Sequence, residues 1–334
     1  MTEQKIAVIG CGLWGRNIVR NFHNLNVLEM VCDIDEDNIA KIRETYPDLK
    51  ITKDFNDIIN NPEITSVAVV TPSHTHYKMV KAMLEAGKNV YVEKPISTVA
   101  QEAKDLKDLA DKKGLVLMVG HLLLYHPAVN RLKMLIEEGM LGDIVYAQSD
   151  RLNVNYFKND RSVMWDLAPH DVSMMSYVIG KEPVKILSAI GSSTDRNEIM
   201  DITHLVIEFE DGVIGHITDS WITPRKHVQL LVRGTKATAI LDDTLPDHKL
   251  TIYDNFSADN TKNITLDYLE IEPLKLECQH FISCCESGKK ARSDGDNGFM
   301  VTKILEQAEK MMLGDRAKKL DQVDFGLSRV KQHL

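Results

Sequence analysis

Two short strings in this 334-residue chain carry side chains able to move a proton and hold the charge left behind. The first is Glu93-Lys94-Pro95, at the end of the apolar run Asn89–Glu93. A lysine ammonium set against an alcohol lowers the cost of forming an alkoxide as hydride departs from the carbon. Pro95 would fix the backbone that aims it. By position alone, a lysine is more often a solvated surface charge. The second string is Trp165-Asp166-Leu167-Ala168-Pro169-His170-Asp171. Proline is tolerated in a first helical turn, so a helix is expected over about 169–179, with Asp166 near its N-cap and His170 one turn on. Residues four apart share a helix face. The carboxylate would orient the imidazole and stabilise its protonated form, while the helix N-terminus opposes that charge. The result is a base able to take one proton near neutral pH. Two other readings compete: a bare helix cap at Asp166, or a metal held by the pair. No third ligand lies at a helpful spacing, so no metal is expected.

A third string, Gly10-Cys11-Gly12-Leu13-Trp14-Gly15, follows the run Lys5–Gly10 and opens a helical pattern. In that setting Gly10 allows the turn, Gly12 lets backbone approach a pyrophosphate, and Gly15 allows close helix packing, with the helix N-terminus facing the anion. The other reading is a tight turn alone. Asp33 stands 18 residues after Gly15 at the end of the next run. A carboxylate there accepts ribose hydroxyls and repels a 2′-phosphate, and Ile34 follows it where an arginine would clamp that phosphate. NAD is therefore expected rather than NADP, although Asp35 is close enough to share the role. Thr71-Pro72-Ser73-His74-Thr75-His76 leaves the run Ser66–Thr71. Ligands bind at the carboxyl ends of parallel strands, so Thr71, Pro72, Ser73 and His76 are expected to line the cofactor, as are Glu93 and Lys94. Ser73 or Thr75 could instead cap the following helix. His74 and His76 alone make a poor zinc signal.

The elements that must position these strings are legible as periodicity. Lys5–Gly10, Glu29–Asp33, Ser66–Thr71, Asn89–Glu93 and Leu115–Gly120 are continuous apolar runs, as strands buried on both faces should be. Helix-like stretches lie between them at about 15–25, 36–46, 75–87 and 98–113. Gly87 and Gly114 stand where helix C-caps belong. This alternation implies a parallel, doubly wound sheet. After Gly120 comes one helix near 127–138. Longer strands follow at roughly 143–152, 184–192, 202–210, 213–222, 227–233 and 236–242, with helices at about 169–179, 274–287 and 296–313. Asp211-Gly212 and Gly234-Thr235 read as hairpin turns. The expected fold is α/β: a Rossmann domain over 1–122, then an α+β domain over 123–334 with a large, open, mostly antiparallel sheet. The cleft at the junction is the natural active site.

Bulk properties narrow the partners. Apolar residues make up 43% and charged residues 27%, ordinary for a globular protein. A net charge of −9 argues against nucleic-acid or anionic-membrane binding. No segment reaches the roughly 18–20 apolar residues of a membrane span, and Met1-Thr2-Glu3-Gln4-Lys5 lacks a signal-peptide core. Five cysteines without a CxxC pair suggest reduced thiols and a cytoplasmic location.

Together GCGLWG, TPSHTH, EKP and DLAPH resemble the Gfo/Idh/MocA oxidoreductases, a family of sugar and cyclitol dehydrogenases. The resemblance spans nearly the whole chain, and EKP followed about 70 residues later by DxxxH is its most specific part. It implies catalytic roles for Lys94, Asp166 and His170, and an open sheet used for substrate binding and for dimer or tetramer contacts. Arg161-Ser-Val-Met-Trp165, Ser220-Trp-Ile-Thr-Pro-Arg225-Lys226 and Arg233-Gly-Thr-Lys-Ala are similar to dehydrogenases that oxidise C3 of UDP-N-acetylglucosaminuronate in bacterial surface polysaccharide synthesis. Gly120-His121 through Tyr125-His126-Pro127 is similar to the same enzymes, though asparagine is more usual at His126 and at Ser73. Such a substrate brings a diphosphate and a carboxylate, so cations should line the cleft. Arg151, Lys158, Arg161, Arg225 and Lys226 are the candidates, with His121 and Trp165 nearby and Tyr156 or Phe157 against a sugar or uracil face. Each basic residue could equally be a solvated charge. A free sugar or cyclitol is the alternative substrate, and a non-catalytic NAD-binding sensor the alternative function.

Overall fold

A computed structural model describes residues 4–154, 161–194, 199–256 and 264–322, with side chains through 314. The first lobe alternates strands and helices: β1 (Ile6–Ile9), α1 (Gly15–Asn24), β2 (Leu28–Cys32), α2 (Glu36–Thr45), β3 (Lys50–Thr52), α3 (Asn56–Ile59), β4 (Ser66–Val69), α4 (His76–Glu85), β5 (Asn89–Val92), α5 (Ala100–Lys113) and β6 (Leu117–Val119). Its strands pair in parallel in the order β3-β2-β1-β4-β5-β6. Every residue of β1 and β4 is buried, which explains why these runs are apolar without alternation. The strand order reverses between β1 and β4, so the loops leaving them flank the crevice where such sheets hold ligands. β3 and α3 were not anticipated. β3 is three residues long with a single apolar side chain, Ile51, too little pattern to register.

The second lobe continues with α6 (Pro127–Glu137), β7 (Ile144–Val154), α7 (Val163–Ile179), β8 (Pro183–Ser192), β9 (Ile202–Phe209), β10 (Ile214–Ser220), β11 (Ile222–Gly234), β12 (Ala237–Asp242), β13 (Leu250–Asp254), β14 (Ile264–Leu266), α8 (Pro273–Ser287) and α9 (Gly295–Gln322). The described strands form an eight-stranded sheet, β14-β13-β12-β11-β7-β10-β9-β8, antiparallel except for β7 with β10. Asp211 and Gly212 both take positive φ, 58° and 76°, as a tight β9–β10 hairpin requires. β13 was missed although Leu250 and Ile252 alternate inward as a half-buried strand should. One face of the sheet packs on α6, α7 and α9 in a large apolar core. The other face carries the cross-strand row Val206–His216–Gln148–Leu231–Ile240, each partly exposed.

Two expectations need correcting. The helix expected from residue 169 begins at Val163, so Asp166 lies inside its first turn rather than at the cap, and Pro169 stands within the helix. The apolar stretch Val163–Leu167 is buried against Trp221 and the sheet core, and tertiary packing holds it helical ahead of the proline. The division at 122 separates the two sheets but not the helices. Leu274, Cys278, Phe281 and Cys284 of α8 bury themselves among Ile6, Ile18, Phe22 and Tyr91 of the first lobe, and α9 packs along α5. No described helix is long and apolar enough to cross a membrane. All five thiols are free.

Candidate active site

The glycine loop is shaped by what each glycine must clear. Gly10 takes φ 92°, and a Cβ there would fall 2.5 Å from the Val70 carbonyl oxygen. A Cβ on Gly15 would fall 2.1 Å from the Gly10 carbonyl oxygen. Both are demanded by the fold itself. Gly12 is different: its Cβ would meet nothing closer than Asn38 Nδ2 at 3.8 Å, so protein packing leaves room for another residue. Close backbone approach by a phosphate is the remaining reason for glycine there. No side chain caps α1; its Arg16 and Asn17 N–H groups donate to the Gly12 and Trp14 carbonyl oxygens at 3.1 and 2.9 Å, tightening the loop against the helix start. Leu13 and Ile34 are 81% and 85% exposed, apolar surfaces flanking this groove.

Asp33 is fixed before any ligand arrives. Its Oδ2 accepts from the Cys11 N–H at 2.7 Å and from Asn38 Nδ2 at 3.4 Å, and its Oδ1 accepts from the Asp35 N–H at 2.9 Å. A carboxylate offers about four acceptor positions, so one remains for a ribose hydroxyl. Asp35 caps α2, its Oδ1 accepting from the Asp37 and Asn38 N–H groups at 2.8 and 3.4 Å. These residues fit an adenine dinucleotide lacking a 2′-phosphate.

The Thr71–His76 loop departs from expectation. No side chain caps α4. Thr75 Oγ1 instead meets Thr71 Oγ1 at 2.6 Å and donates to the Pro72 carbonyl at 2.8 Å. His76 was expected to line the cofactor, but it is buried with Nδ1 and Nε2 each 2.8 Å from a backbone carbonyl oxygen, Pro95 and Thr71 respectively. It therefore ties the two loops together from beneath. Burial lowers its pKa, against the pull of the two carbonyls. Ser73 does face a cavity, shared with His74, Pro95, Thr98, Arg161 and Trp165.

Lys94 leaves the carboxyl end of β5, and its peptide bond to Pro95 is cis. Its ammonium crosses between the lobes to α7, donating to the Asp166 carbonyl oxygen at 2.5 Å and standing 3.6 Å from Asp166 Oδ1. His170 follows one turn along that helix, its Cβ about 6 Å from that of Asp166 by helical spacing. An ammonium and a buried carboxylate thus meet at the junction, with a partly exposed imidazole one turn along the same helix. Such a set can take a proton from an alcohol while holding charge on its oxygen.

Glu93 was expected at the cofactor, yet it works as a brace. Its Oε1 accepts from Trp14 Nε1 at 2.6 Å and from Tyr91 OH at 3.0 Å, and its Oε2 from the Lys94 N–H at 3.2 Å. Burial raises its pKa, while those donors and the Lys94 ammonium pull it down. His121 is buried beside Lys94, with Nδ1 2.5 Å from Asn297 Oδ1 of α9, and burial pushes its pKa down to about 4. Asn297, Tyr91 and Asn38 were not singled out from sequence. A tyrosine hydroxyl inside a buried strand was a usable signal, because it needs a partner.

The expected cations fare unequally. Arg151 is committed within the fold: its side chain is 12% exposed and grips Asp171, with Nε and Nη2 2.9 and 2.8 Å from the two carboxylate oxygens. A strand position next to α7 placed it under the helix. Arg225 and Lys226 are exposed on the irregular part of β11 between Ile222 and His227. Arg161 lines the Ser73 cavity. Trp165 lines it too, with Nε1 donating to Glu309 of α9 at 2.9 Å. Tyr156, Phe157 and Lys158 lie outside the described residues. Among the described residues no three potential ligands gather for a metal.

Known proteins share this fold. The myo-inositol 2-dehydrogenase of Thermotoga maritima is 25% identical over 96% of this chain and 99% of its own length. The UDP-N-acetylglucosamine 3-dehydrogenase of Acidithiobacillus ferrooxidans is 23% identical over 90% and 95%. Its solved structure matches with a TM-score of 0.82 over 94% of this chain and 99% of that one. A levoglucosan dehydrogenase solved with NADH, 19% identical, covers 93% and 97% with a TM-score of 0.84. The family's NAD-binding Rossmann domain matches residues 4–121 and its C-terminal domain matches residues 129–240, about two thirds of the chain together. This chain belongs to the Gfo/Idh/MocA family of NAD-binding oxidoreductases.

Proposed function

We propose that the protein oxidises a ring hydroxyl of a sugar to a ketone, with C3 of UDP-N-acetylglucosaminuronate as the substrate position, in the synthesis of a surface polysaccharide. The observation that carries the reading is the Lys94 ammonium reaching α7 at Asp166, since it joins the cofactor lobe to the helix bearing His170. NAD⁺, held by Gly10–Gly15, Asp33 and the Thr71–Ser73 loop, supplies the hydride acceptor. His170 takes the hydroxyl proton, and Asp166, one turn earlier, orients it and stabilises its charged form. Lys94 holds the charge growing on the same oxygen. Arg161, with Ser73, His74 and Thr98 around it, gives the cavity beside Pro95 a cation for an acidic group, and Trp165 gives it an aromatic wall. Lys94→Ala and His170→Ala should each lower kcat by about 10²–10⁴ while NADH still binds. Near-normal turnover in either variant sinks the assignment.

A free sugar or cyclitol is a second reading with its own support, because Arg151 is spent on Asp171 and one expected phosphate ligand is lost. The inositol dehydrogenase relative points the same way. NADH formation should be compared with UDP-N-acetylglucosaminuronate, UDP-N-acetylglucosamine and myo-inositol. A kcat/KM for the inositol above both nucleotide sugars would replace the first reading with the second. We also propose that two or four copies associate through the partly exposed face carrying Val206, Leu231 and Ile240. A single-chain mass by light scattering would refute this.

A further inference from the structure

We infer that Glu277 and Tyr91 are positioning residues: a buried acid reaches through the tyrosine hydroxyl to hold Glu93, and with it Trp14 and the backbone of Lys94. Glu277 belongs to α8, 186 residues along the chain from Tyr91, yet its fully buried carboxyl comes within 3.2 Å of the Tyr91 hydroxyl. That hydroxyl is 3.0 Å from Glu93 Oε1. The end of β6 leaves the space clear. A Cβ on Gly120 would lie 2.6 Å from the tyrosine oxygen and 3.0 Å from Glu93 Oε1. The inference rests on the proposed roles of Lys94 and the glycine loop.

Counting protons sets the direction of this chain. Tyr91 has one O–H and two carboxyl oxygens within reach. If it donates to one, the other must bring a proton of its own. Glu93 has three further reasons to be the anion: the Trp14 indole N–H, the Lys94 backbone N–H and the Lys94 ammonium. Glu277 has none, and its Oε1 meets no donor. The titratable groups facing it are Tyr91 from β5 and Glu93 just after it, Tyr125 from the turn 122–125, and Cys278 from its own helix. None is a cation. A bare carboxylate there would be costly, so burial keeps Glu277 protonated and its pKa well up. Its O–H then donates to the Tyr91 oxygen, and the Tyr91 O–H donates to Glu93. Glu277 of α8, Tyr91 of β5, Glu93 just beyond it and Trp14 at the head of α1 are thereby joined by one line of hydrogen bonds that ends beside Lys94.

The test is NADH binding as a function of pH, followed by tryptophan fluorescence, for the full-length wild type and the variants Tyr91→Phe, Glu277→Leu and Glu277→Gln. Glutamine keeps an N–H donor for Tyr91, so that variant should stay within about threefold of wild type at every pH. Tyr91→Phe takes a donor from Glu93, which raises its pKa. Binding should weaken about tenfold, and its acid limb should move to higher pH. Glu277→Leu should shift in the same direction. An unmoved acid limb in Tyr91→Phe overturns the inference, as does a glutamine variant as impaired as the leucine one. Should Glu277→Leu fail to fold, the other two variants still decide. Because binding needs no turnover, a wild type that binds NADH yet oxidises no sugar would count against the proposed function alone.

Discussion

Each lobe hides a pair of acids behind its half of the site, and the two pairs are balanced differently. Behind α7, Asp171 is matched by the Arg151 fork and by Ser149 Oγ at 2.7 Å, and Asp219 stands fully buried beside them. Behind β5, Glu93 is held by neutral donors and by the Lys94 ammonium, and Glu277 stands buried beyond Tyr91. In both places one acid is surplus to the available cations, and burial pushes its pKa well up. The difference lies in what each arrangement commits. The second lobe locks an arginine away to seat the helix carrying Asp166 and His170. The first lobe commits no arginine to its pair of acids, and the Lys94 ammonium reaches out of it to α7.

The largest test of that contrast is Arg151→Ala against Glu277→Gln. Removing one member of a buried ion pair leaves Asp171 uncompensated, at a cost of about 3–5 kcal/mol. The glutamine replaces an acid that is already neutral in the fold and should cost no more than about 1 kcal/mol. Urea unfolding of the two variants measures both. Equal losses would mean that the first lobe depends on a charge at Glu277 after all.

Histidines sharpen the contrast on the acid side. His121 is buried behind Lys94, its pKa pushed down to about 4, and His76 is lowered in the same sense. A depressed pKa contributes stability that is complete above the unfolded value of about 6.5 and is lost as pH falls through the folded value. His121 alone can account for up to about 3 kcal/mol between those limits. Thermal midpoints measured downward from about pH 6.5 should fall, and His121→Gln should flatten the fall by nearly one proton. An unchanged slope would place the imidazole in contact with water.

The surplus acids act in the opposite direction. Their folded pKa values are raised, so the stability they contribute is complete below about pH 4 and declines as pH rises toward the folded values. Each contributes a slope of up to about 1.4 kcal/mol per pH unit in that window. Glu277→Gln combined with Asp219→Asn should remove two such slopes from the pH dependence of urea unfolding. If the single variants share one slope between them, the two clusters titrate together and the lobes are not independent.

The strings of residues that make this site were readable because their chemistry is local. A glycine loop needs its strand before it and its helix after it, and Lys94 and Asp33 sit at strand ends that periodicity alone located. The braces were not readable, because each joins segments far apart in sequence. Nothing near Trp165 names Glu309, and nothing near Tyr91 names Glu277. Arg151 shows the converse error. Its charge suggested a phosphate, but the strand's alternation points it toward α7, where Asp171 was already present in the sequence beside His170. The start of α7 was misplaced for a related reason: Pro169 marks a first turn only when the residues before it have no core to enter, and Val163 does.

Two tryptophans give the smallest and most direct version of the comparison. Each donates its indole N–H to a glutamate distant in sequence, Trp14 to Glu93 at 2.6 Å and Trp165 to Glu309 at 2.9 Å. Phenylalanine at either position removes one hydrogen bond, worth about 1.5–3 kcal/mol when the acceptor is charged. The destination of that loss should differ. Glu93 is half-buried and joined to the Lys94 backbone, so Trp14→Phe should weaken NADH binding several-fold, most severely at low pH where a poorly supported carboxylate takes up a proton. Glu309 is anchored on α9 and touches no part of the glycine loop, so Trp165→Phe should lower stability while leaving NADH affinity unchanged. Calorimetric titration with NADH, set beside urea unfolding of both variants, separates the two. A Trp165→Phe chain that loses cofactor affinity as Trp14→Phe does would show that α9 and the glycine loop move as one body, and the distinction between the lobes would not hold.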